Sequence, residues 1–355
     1  MKQKKIIFFI PRLPGYFLYN LEYLSKNLNT KLFVYHYKND EDAPYELELS
    51  EDIQFKSIEK YTKKEIISQS ISIYPDMVVI SGWNNRLFRT LGSVFKKRKI
   101  PVVMPIDNLW KSSLKQYLFW SFGYRFIKSF ADFIWVPGYP QYYYAKKLGF
   151  KDAEVLFNCY NGNYLGKNEL AENYFSIKEK SFPKTIVFVG RFVDYKYPHL
   201  LAEVFDEIQS NKSNDWKLIL IGNGKLKAKI SKIPNDNIII KEFMQPKVLN
   251  DFIAKQGVFC LPSHNEHWGL VVHEAASVGL PLILSDTVGA CSTFLINGYN
   301  GYKFRSKDKE ELKERLLAIM NKSDSQLLEM SKRSLEMSKK INCNIWSSSL
   351  LSIIS

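Results

Sequence analysis

The sequence predicts an α/β protein made of two Rossmann-like domains. Short apolar runs alternate with longer amphipathic stretches, as strands alternate with helices in βαβ units. The alternation occurs in two separate series, which implies two parallel sheets rather than one. The chain has 355 residues, and roughly 100–200 residues per domain accommodates two such units. Hydrophobic residues make up 46% and charged residues 24%, a globular balance that excludes a disordered tail, a collagen-like repeat and a disulfide miniprotein.

In the first series, residues 6–10, 32–35, 77–80, 102–105 and 133–136 read as buried strands, with a helical pattern over 16–27 as an example of what lies between them. Lys2, Lys4 and Lys5 precede the first run and resemble the start of a secretory signal. Its five apolar residues fall short of the roughly 7–15 that a signal core needs, and Pro11, Arg12 and Pro14 end it. A buried first strand is the expectation. The second series comprises 185–189, 218–221, 238–240, 258–261 and 281–284. Between the two, residues 158–184 contain Asn161-Gly162-Asn163, Gly166 and Pro183, and they read as the linker. Beyond about residue 323 the chain is helical and polar, ending in Trp346 and the apolar residues 350–354. The expected domains are therefore 1–175 and 176–335, with 336–355 a terminal helix packing back on the first domain.

The formal charge is +14. Residues 86–128 hold ten Lys or Arg against Asp107 alone, so +9 of that charge sits in one segment. Trp110, Tyr117, Phe119, Trp120, Phe122, Tyr124 and Phe126 lie in the same stretch. Basic and aromatic residues together suit an anionic surface, either lipid headgroups or nucleic acid. A solvated basic helix beside a core helix gives the same pattern. No RNA-binding signature accompanies it, so no nucleic-acid partner is expected. Cys159, Cys260, Cys291 and Cys343 form no C-x-x-C pair and no zinc spacing, so reduced thiols in a cytoplasmic protein and no metal site are expected. No segment has the ~18 consecutive apolar residues of a membrane span.

The second half carries the chemistry. Its first strand ends in Val189-Gly190-Arg191, followed by Asp194-Tyr195-Lys196. Glycine there lets a ligand approach the backbone, and parallel sheets bind ligands beyond the carboxyl ends of their strands. Arg191 and Lys196 are two cations suited to a diphosphate; ion pairing with a helix is the plainer reading. The next strand ends in Ile221-Gly222-Asn223-Gly224, a phosphate-type turn or an ordinary β–α turn. The strongest segment is Pro262-Ser263-His264-Asn265-Glu266-His267-Trp268-Gly269-Leu270-Val271-Val272-His273-Glu274. Glu266 lies in a loop, and Glu274 in the early turns of a helix beginning near Leu270. These carboxylates can accept hydrogen bonds from sugar and ribose hydroxyls, and the helix N-terminus favours phosphate. A capping acid and a solvated helix acid would look alike. The series closes with Gly279-Leu280-Pro281, Val288-Gly289-Ala290 and Asn297-Gly298-Tyr299-Asn300-Gly301, which as structure alone is loop and hairpin.

In this order, over residues 185–305, these segments resemble the retaining glycosyltransferases of the GT-B fold, in the glycosyltransferase group 1 (family 4) class. The resemblance rests on Gly190-Arg191…Lys196, Gly222-Asn223-Gly224, Pro262-Ser263, the E-x7-E pair Glu266 and Glu274, Gly279-Leu280-Pro281, and Asn297-Gly298…Asn300-Gly301. The first half matches more loosely, through Pro14-Gly15-Tyr16, Trp135-Val136-Pro137, Leu148-Gly149-Phe150 and Asn158…Asn161-Gly162. The resemblance implies two Rossmann-like domains facing across a cleft. The second would hold a nucleotide-diphospho-sugar, UDP- or GDP-linked, and the first a glycan or lipid-linked acceptor. Arg191 and Lys196 would stabilise the diphosphate leaving group without metal or other cofactor, Glu274 would hold the ribose, and Glu266 the sugar. Gly15, Gly190, Gly222, Trp268, Gly269 and Leu270 would complete the donor site. No protein nucleophile is implied.

There are departures from the family pattern. Val288-Gly289-Ala290-Cys291-Ser292-Thr293 lacks the acidic residue common after the glycines. Trp268 replaces a phenylalanine, and Gln256-Gly257 replaces Ala-Asp. Where the family often has a histidine in its first domain, this chain has Pro105-Ile106-Asp107-Asn108, which makes Asp107 the acceptor-side catalytic candidate. Asp40-Glu41-Asp42 is a literal D-x-D, the metal motif of the GT-A fold, but it lies in a polar stretch and reads as solvated loop. The function expected is sugar transfer in surface polysaccharide or glycolipid synthesis, on the inner face of the cell membrane, with residues 86–128 on anionic lipid. The alternatives are a sugar-nucleotide epimerase on the same fold and a non-catalytic nucleotide-sugar binding protein.

Overall fold

The computed structural model describes residues 3–37, 50–163, 167–211 and 214–354; Asp40-Glu41-Asp42 lies outside them. The chain divides into two compact units, residues 1–164 with 342–355, and residues 165–341.

Unit 1 runs β1 (Lys4–Ile10), α1 (Gly15–Asn27), β2 (Thr30–His36), β3 (Ile53–Ser57), α2 (Lys63–Ser72), β4 (Met77–Ile80), α3 (Arg86–Lys97), β5 (Val102–Pro105), α4 (Leu114–Lys128), β6 (Phe133–Trp135), α5 (Tyr139–Leu148) and β7 (Val155–Leu156). Among the described residues these strands form one parallel sheet in the order β3-β2-β1-β4-β5-β6-β7. Both faces are covered. Ile7 and Phe9 join one apolar cluster with Val78 and Ile80, while Ile6, Phe8 and Ile10 join the other with Met77 and Val79. Alternate residues on a strand point to opposite faces, so a strand buried on both sides must be apolar throughout.

Unit 2 runs α6 (Lys167–Lys180), β8 (Thr185–Val189), α7 (Pro198–Asn211), β9 (Lys217–Ile221), α8 (Lys227–Ile230), β10 (Ile238–Lys241), α9 (Pro246–Ala254), β11 (Val258–Leu261), α10 (Leu270–Ser277), β12 (Leu282–Ser285), α11 (Cys291–Phe294), β13 (Gly301–Phe304), α12 (Lys309–Met320) and α13 (Asp324–Ser338). Its parallel sheet has the order β10-β9-β8-β11-β12-β13. The chain then returns to unit 1 as α14 (Cys343–Leu351). Trp346 of α14 is fully buried; it packs on Trp135 and Phe17, and its indole N–H donates to the Cys159 carbonyl at 2.9 Å.

Three strands were not anticipated: β3, β7 and β13. The first two close the edges of their sheet, and β13 closes an edge of the other. Edge strands need one apolar stripe rather than a continuous run, so they carry a weaker signal. The expected linker is also half helix. Its residues 167–180 form α6, which packs on α13, α9 and α10 inside unit 2. The expected boundaries at 175 and 335 fall within α6 and α13. The units instead part at 164/165, ahead of α6, and at 341/342, between α13 and α14.

Candidate active site

In unit 2 the strand order diverges between β8 and β11. From β8 the chain proceeds to β9 and β10 on one side; β11, β12 and β13 build the other. Ligands of open α/β sheets bind beyond the carboxyl ends of strands at such a point. The loops that leave β8 and β11 carry Lys196 and Glu266, and the Lys196 ammonium is paired with a Glu266 carboxylate oxygen. Their side chains are only 14% and 15% exposed, so water screens the pair far less than a surface pair.

Backbone bonds fix both partners. A 3₁₀ turn spans Asp194–Lys196 and ends at Tyr197, which takes the left-handed conformation with φ 53°. The Tyr197 ring packs on His264 at 4.6 Å and on His199 at 5.3 Å. The His264 N–H donates to the Tyr195 carbonyl at 2.9 Å, tying the β11 loop to the β8 loop. The Ser263 hydroxyl lies 3.5 Å from the paired Glu266 oxygen. The loop after β12 fastens the same segment from its other side: the Gly289 N–H donates to the Glu266 carbonyl at 3.2 Å, and the Ala290 N–H to the Trp268 carbonyl at 2.8 Å. Arg191 is exposed, and its guanidinium donates to the Tyr195 hydroxyl at 2.5 Å.

The glycine turn after β9 closes against the loop after β8. Gly222 has φ 142°, and a Cβ there would stand 2.1 Å from the Gly190 carbonyl oxygen. The Gly190 N–H donates to Ile221 at 3.0 Å and the Phe192 N–H to Asn223 at 2.8 Å. The two loops thus meet backbone to backbone, where a side chain cannot fit. Gly269, with φ 89°, precedes the first turn of α10. Leu270 and Glu274 on that helix are half-buried. The opposite side of α10 is structural: His273 is fully buried, stacks on Phe294 at 4.1 Å and lies 2.9 Å from the Ser338 carbonyl.

Trp268 departs from its expected place. Its side chain is 2% exposed, with its ring edge-on to Phe294 at 6.1 Å. An indole is large and apolar, and the core claims it. What residue 268 contributes to the loop is its carbonyl.

Gly15 and Asp107 belong to unit 1. There the strand order diverges between β1 and β4, and Gly15 opens α1 directly after β1. A Cβ at Gly15 would meet nothing within 4 Å, so packing does not require glycine there. Asp107 follows β5 and accepts a hydrogen bond from the Tyr160 hydroxyl at 3.2 Å. Tyr160 meets Tyr16 edge-on at 5.9 Å. Burial, with Tyr16 and Asp107 beside it, pushes the Tyr160 phenol well above its ordinary value of 10.

Tyr160 and Tyr197 were not singled out from the sequence, and Tyr195, Ser263 and His264 stood inside its motifs without a role of their own. Only Tyr197 left a signal, because Pro198 disfavours the right-handed helical conformation in the residue before it. Among the described residues no three His, Cys, Asp or Glu side chains are grouped so as to hold a metal ion. The four cysteines are free thiols.

Residues 171–337 match the family described as glycosyl transferases group 1. A glycosyltransferase of Methanocaldococcus jannaschii, named as uncharacterized, is 30% identical over 142 residues, which are 39% of this chain and 38% of that protein. The capsular polysaccharide biosynthesis glycosyltransferase CapM of Staphylococcus aureus is 28% identical over 163 residues, 44% of this chain and 41% of that one. The matches therefore span less than half of these relatives. The solved structure of Anabaena HepE in complex with UDP and glucose superposes with a TM-score of 0.71 at 12% identity, covering 99% of each chain. Two parallel α/β sheets and superposition on that structure along the whole chain make this a GT-B fold, and residues 171–337, nearly all of unit 2, match the glycosyl transferases group 1.

Proposed function

We propose that the protein is a retaining glycosyltransferase that moves a sugar from a nucleotide-diphospho-sugar to a glycan or lipid-linked acceptor in surface polysaccharide or glycolipid synthesis. The observation that carries this reading is the Lys196–Glu266 pair at the β8/β11 divergence, with Arg191 on the same loop as Lys196 and Glu274 on the helix that follows Glu266. The complex of HepE with UDP and glucose supports a uridine donor, and GDP is the other base considered. The role in CapM's name supports the acceptor class.

On this reading Arg191 and Lys196 meet the diphosphate. As the glycosidic bond to phosphate breaks, negative charge grows on the leaving group, and fixed cations stabilise that charge more than they stabilise the bound donor. No metal or other cofactor is needed. Glu266 holds Lys196 before donor arrives and presents its carboxylate to the sugar hydroxyls; Glu274 accepts from the ribose. Gly190, Gly222 and Gly269 let the backbone approach the donor, and Leu270 begins the helix whose amides face its phosphates. Trp268 acts through its backbone. Asp107 takes the proton of the acceptor hydroxyl, which attacks from the face the leaving group departs, through an oxocarbenium-like transition state. Residues 86–128 place the enzyme on an anionic membrane surface at the cytoplasmic side, where lipid-linked acceptors reside.

Thermal unfolding with UDP, GDP, ADP or CMP in excess, without metal, tests the reading. A nucleotide at about 100 times its Kd adds about 2.7 kcal/mol. Stabilisation by one diphosphate, lost in Glu274→Ala, is expected. No response to any nucleotide would overturn the donor site. Conversion of the donor sugar to its epimer in the absence of acceptor would replace transfer by epimerisation.

A further inference from the structure

Helix α4 (Leu114–Lys128) turns its largest apolar side chains to solvent. Leu114, Leu118, Phe122 and Phe126 are 83%, 71%, 51% and 36% exposed. At a spacing of four they form one ridge along the helix. Tyr117 flanks it, 49% exposed, and Trp120, 54% exposed, stands two turns before Ile127 on that residue's side of the helix. The inner side is thin: Gly123 and Ile127 are its buried residues, and a Cβ at Gly123 would meet Phe119 and Leu148 at 2.8–2.9 Å. Six of the fifteen large hydrophobic side chains exposed among the described residues lie on this one helix. Scattered exposed apolar residues need no explanation, but a continuous ridge of this size does.

The charges around the ridge have one sign. No Asp or Glu occurs from residue 108 to residue 131. Lys96 and Lys128 are paired with Asp132 and Glu154. Lys111, Lys115 and Arg125 are exposed on or beside α4, and Arg86, Lys97 and Arg98 are exposed on or next to α3. The Arg89 guanidinium sits over the Phe126 ring at 5.6 Å.

We infer that α4 lies in the surface plane of an anionic lipid bilayer, with Leu114, Leu118 and Phe122 among the acyl chains. Tyr117 stands at headgroup level, as its half-polar ring favours. Lys111, Lys115 and Arg125 pair with lipid phosphates while their stems cover the ridge. At 15 residues the helix is roughly 22 Å long, and no helix of the described chain is long and apolar enough to cross a membrane. Charge selects this occupant over the others. A second copy would bring a like-charged patch against this one. A single-stranded nucleic acid would use the rings for stacking but has no use for a crest of leucines. The inference deepens the proposed function, on which it rests for its biological sense, by naming the element that meets the lipid surface.

Flotation of the full chain with phosphatidylcholine vesicles, with and without phosphatidylglycerol, tests it. The protein floats with the anionic vesicles at low salt and at least about tenfold less with neutral ones. Leu114→Ser with Leu118→Ser lowers partitioning about 100-fold, each leucine contributing about tenfold. Lys111→Gln and Lys115→Gln lower it about fivefold each, and added salt mimics them. Protein left wholly unfloated at low salt, or a leucine variant that floats like the wild type, overturns the inference. So does dimerisation or RNA binding that the leucine variant abolishes while flotation is absent. UDP-induced stabilisation is measured on the same proteins. Its absence would sink the donor reading and leave the flotation result to judge α4 alone.

Discussion

The two units share a topology and differ in what their loops carry. Each has a parallel sheet with one divergence point, between β1 and β4 in unit 1 and between β8 and β11 in unit 2. In unit 2 that point brings together a half-buried ammonium and carboxylate, over glycine turns with no room for a side chain. In unit 1 the polar groups beyond the strand ends are a phenol–carboxylate pair and a tyrosine edge, and Gly15 has open space around it. The family match covers 171–337, nearly all of unit 2 and none of unit 1. On the proposed function the reason is chemical. A shared diphosphate leaving group favours the same cations and close backbone on one fold, whereas differing acceptors leave no common set of residues.

The largest effect expected on this contrast is at Lys196. Lys196→Ala should lower the transfer rate about 10²–10³-fold, as loss of a fixed charge-stabilising donor does. Steady-state transfer at saturating donor reads it; a rate within a factor of three of wild type would remove Lys196 from the leaving-group role. Asp107→Asn should follow, with kcat down about 100-fold for loss of a general base. UDP stabilisation should be unchanged there, since Asp107 belongs to the other unit; if that stabilisation were lost, the division of labour between the units would fail.

The glycines sharpen the comparison through stability. Gly222→Ala should cost about 2–3 kcal/mol, read from the urea midpoint, because its Cβ collides with the Gly190 carbonyl and its φ is unfavourable. Gly15→Ala should stay within about 0.5 kcal/mol of wild type, and any loss of transfer there would report on ligand approach alone.

Unit 2 also holds the only Lys, Arg, Asp or Glu that is buried among the described residues, Lys178 on α6. Its ammonium has no hydrogen-bond partner, faces the Phe182 ring at 5.9 Å, and is pushed by burial from 10.5 down to about 7. Unfolded, this lysine keeps its proton up to about pH 10.5; folded, it sheds it above about pH 7. The cost of burying the charge is therefore complete below pH 7 and fades as the pH rises towards 10.5. Lys178→Met should stabilise the protein by about 2 kcal/mol at neutral pH, with the gain shrinking by pH 10. Chemical unfolding of both proteins across that range checks the sign; an advantage for methionine that grew with pH would contradict it.

Much of the fold was legible because parallel strands buried on both faces must be apolar throughout. Residues 77–80, 102–105, 185–189 and 258–261 were read with the bounds the structure has. β3 was missed because Gln54 and Lys56 alternate with its apolar residues on an edge. Of the candidate site, the sequence offered Arg191, Lys196 and Glu266 as charged groups after strands and Glu274 as a carboxylate in the early turns of a helix, and the structure has them on those elements. The burial of Trp268, the bond from Tyr160 to Asp107, and the contact of Tyr197 with His264 were not legible, because each depends on which distant segment arrives beside it.

The sequence by itself determined the α/β class, the two series of strands, and the residue types suited to a diphosphate, all written in local periodicity and in short motifs after strands. Only the tertiary structure decided that Lys196 and Glu266, 70 residues apart, form one pair, that α6 belongs with unit 2, and that α14 returns to unit 1. It also decided that the ridge of α4 faces outward. Periodicity encodes how much of a segment is covered. Which partner covers it follows from strand order and helix packing, set by the competition of all buried surfaces at once.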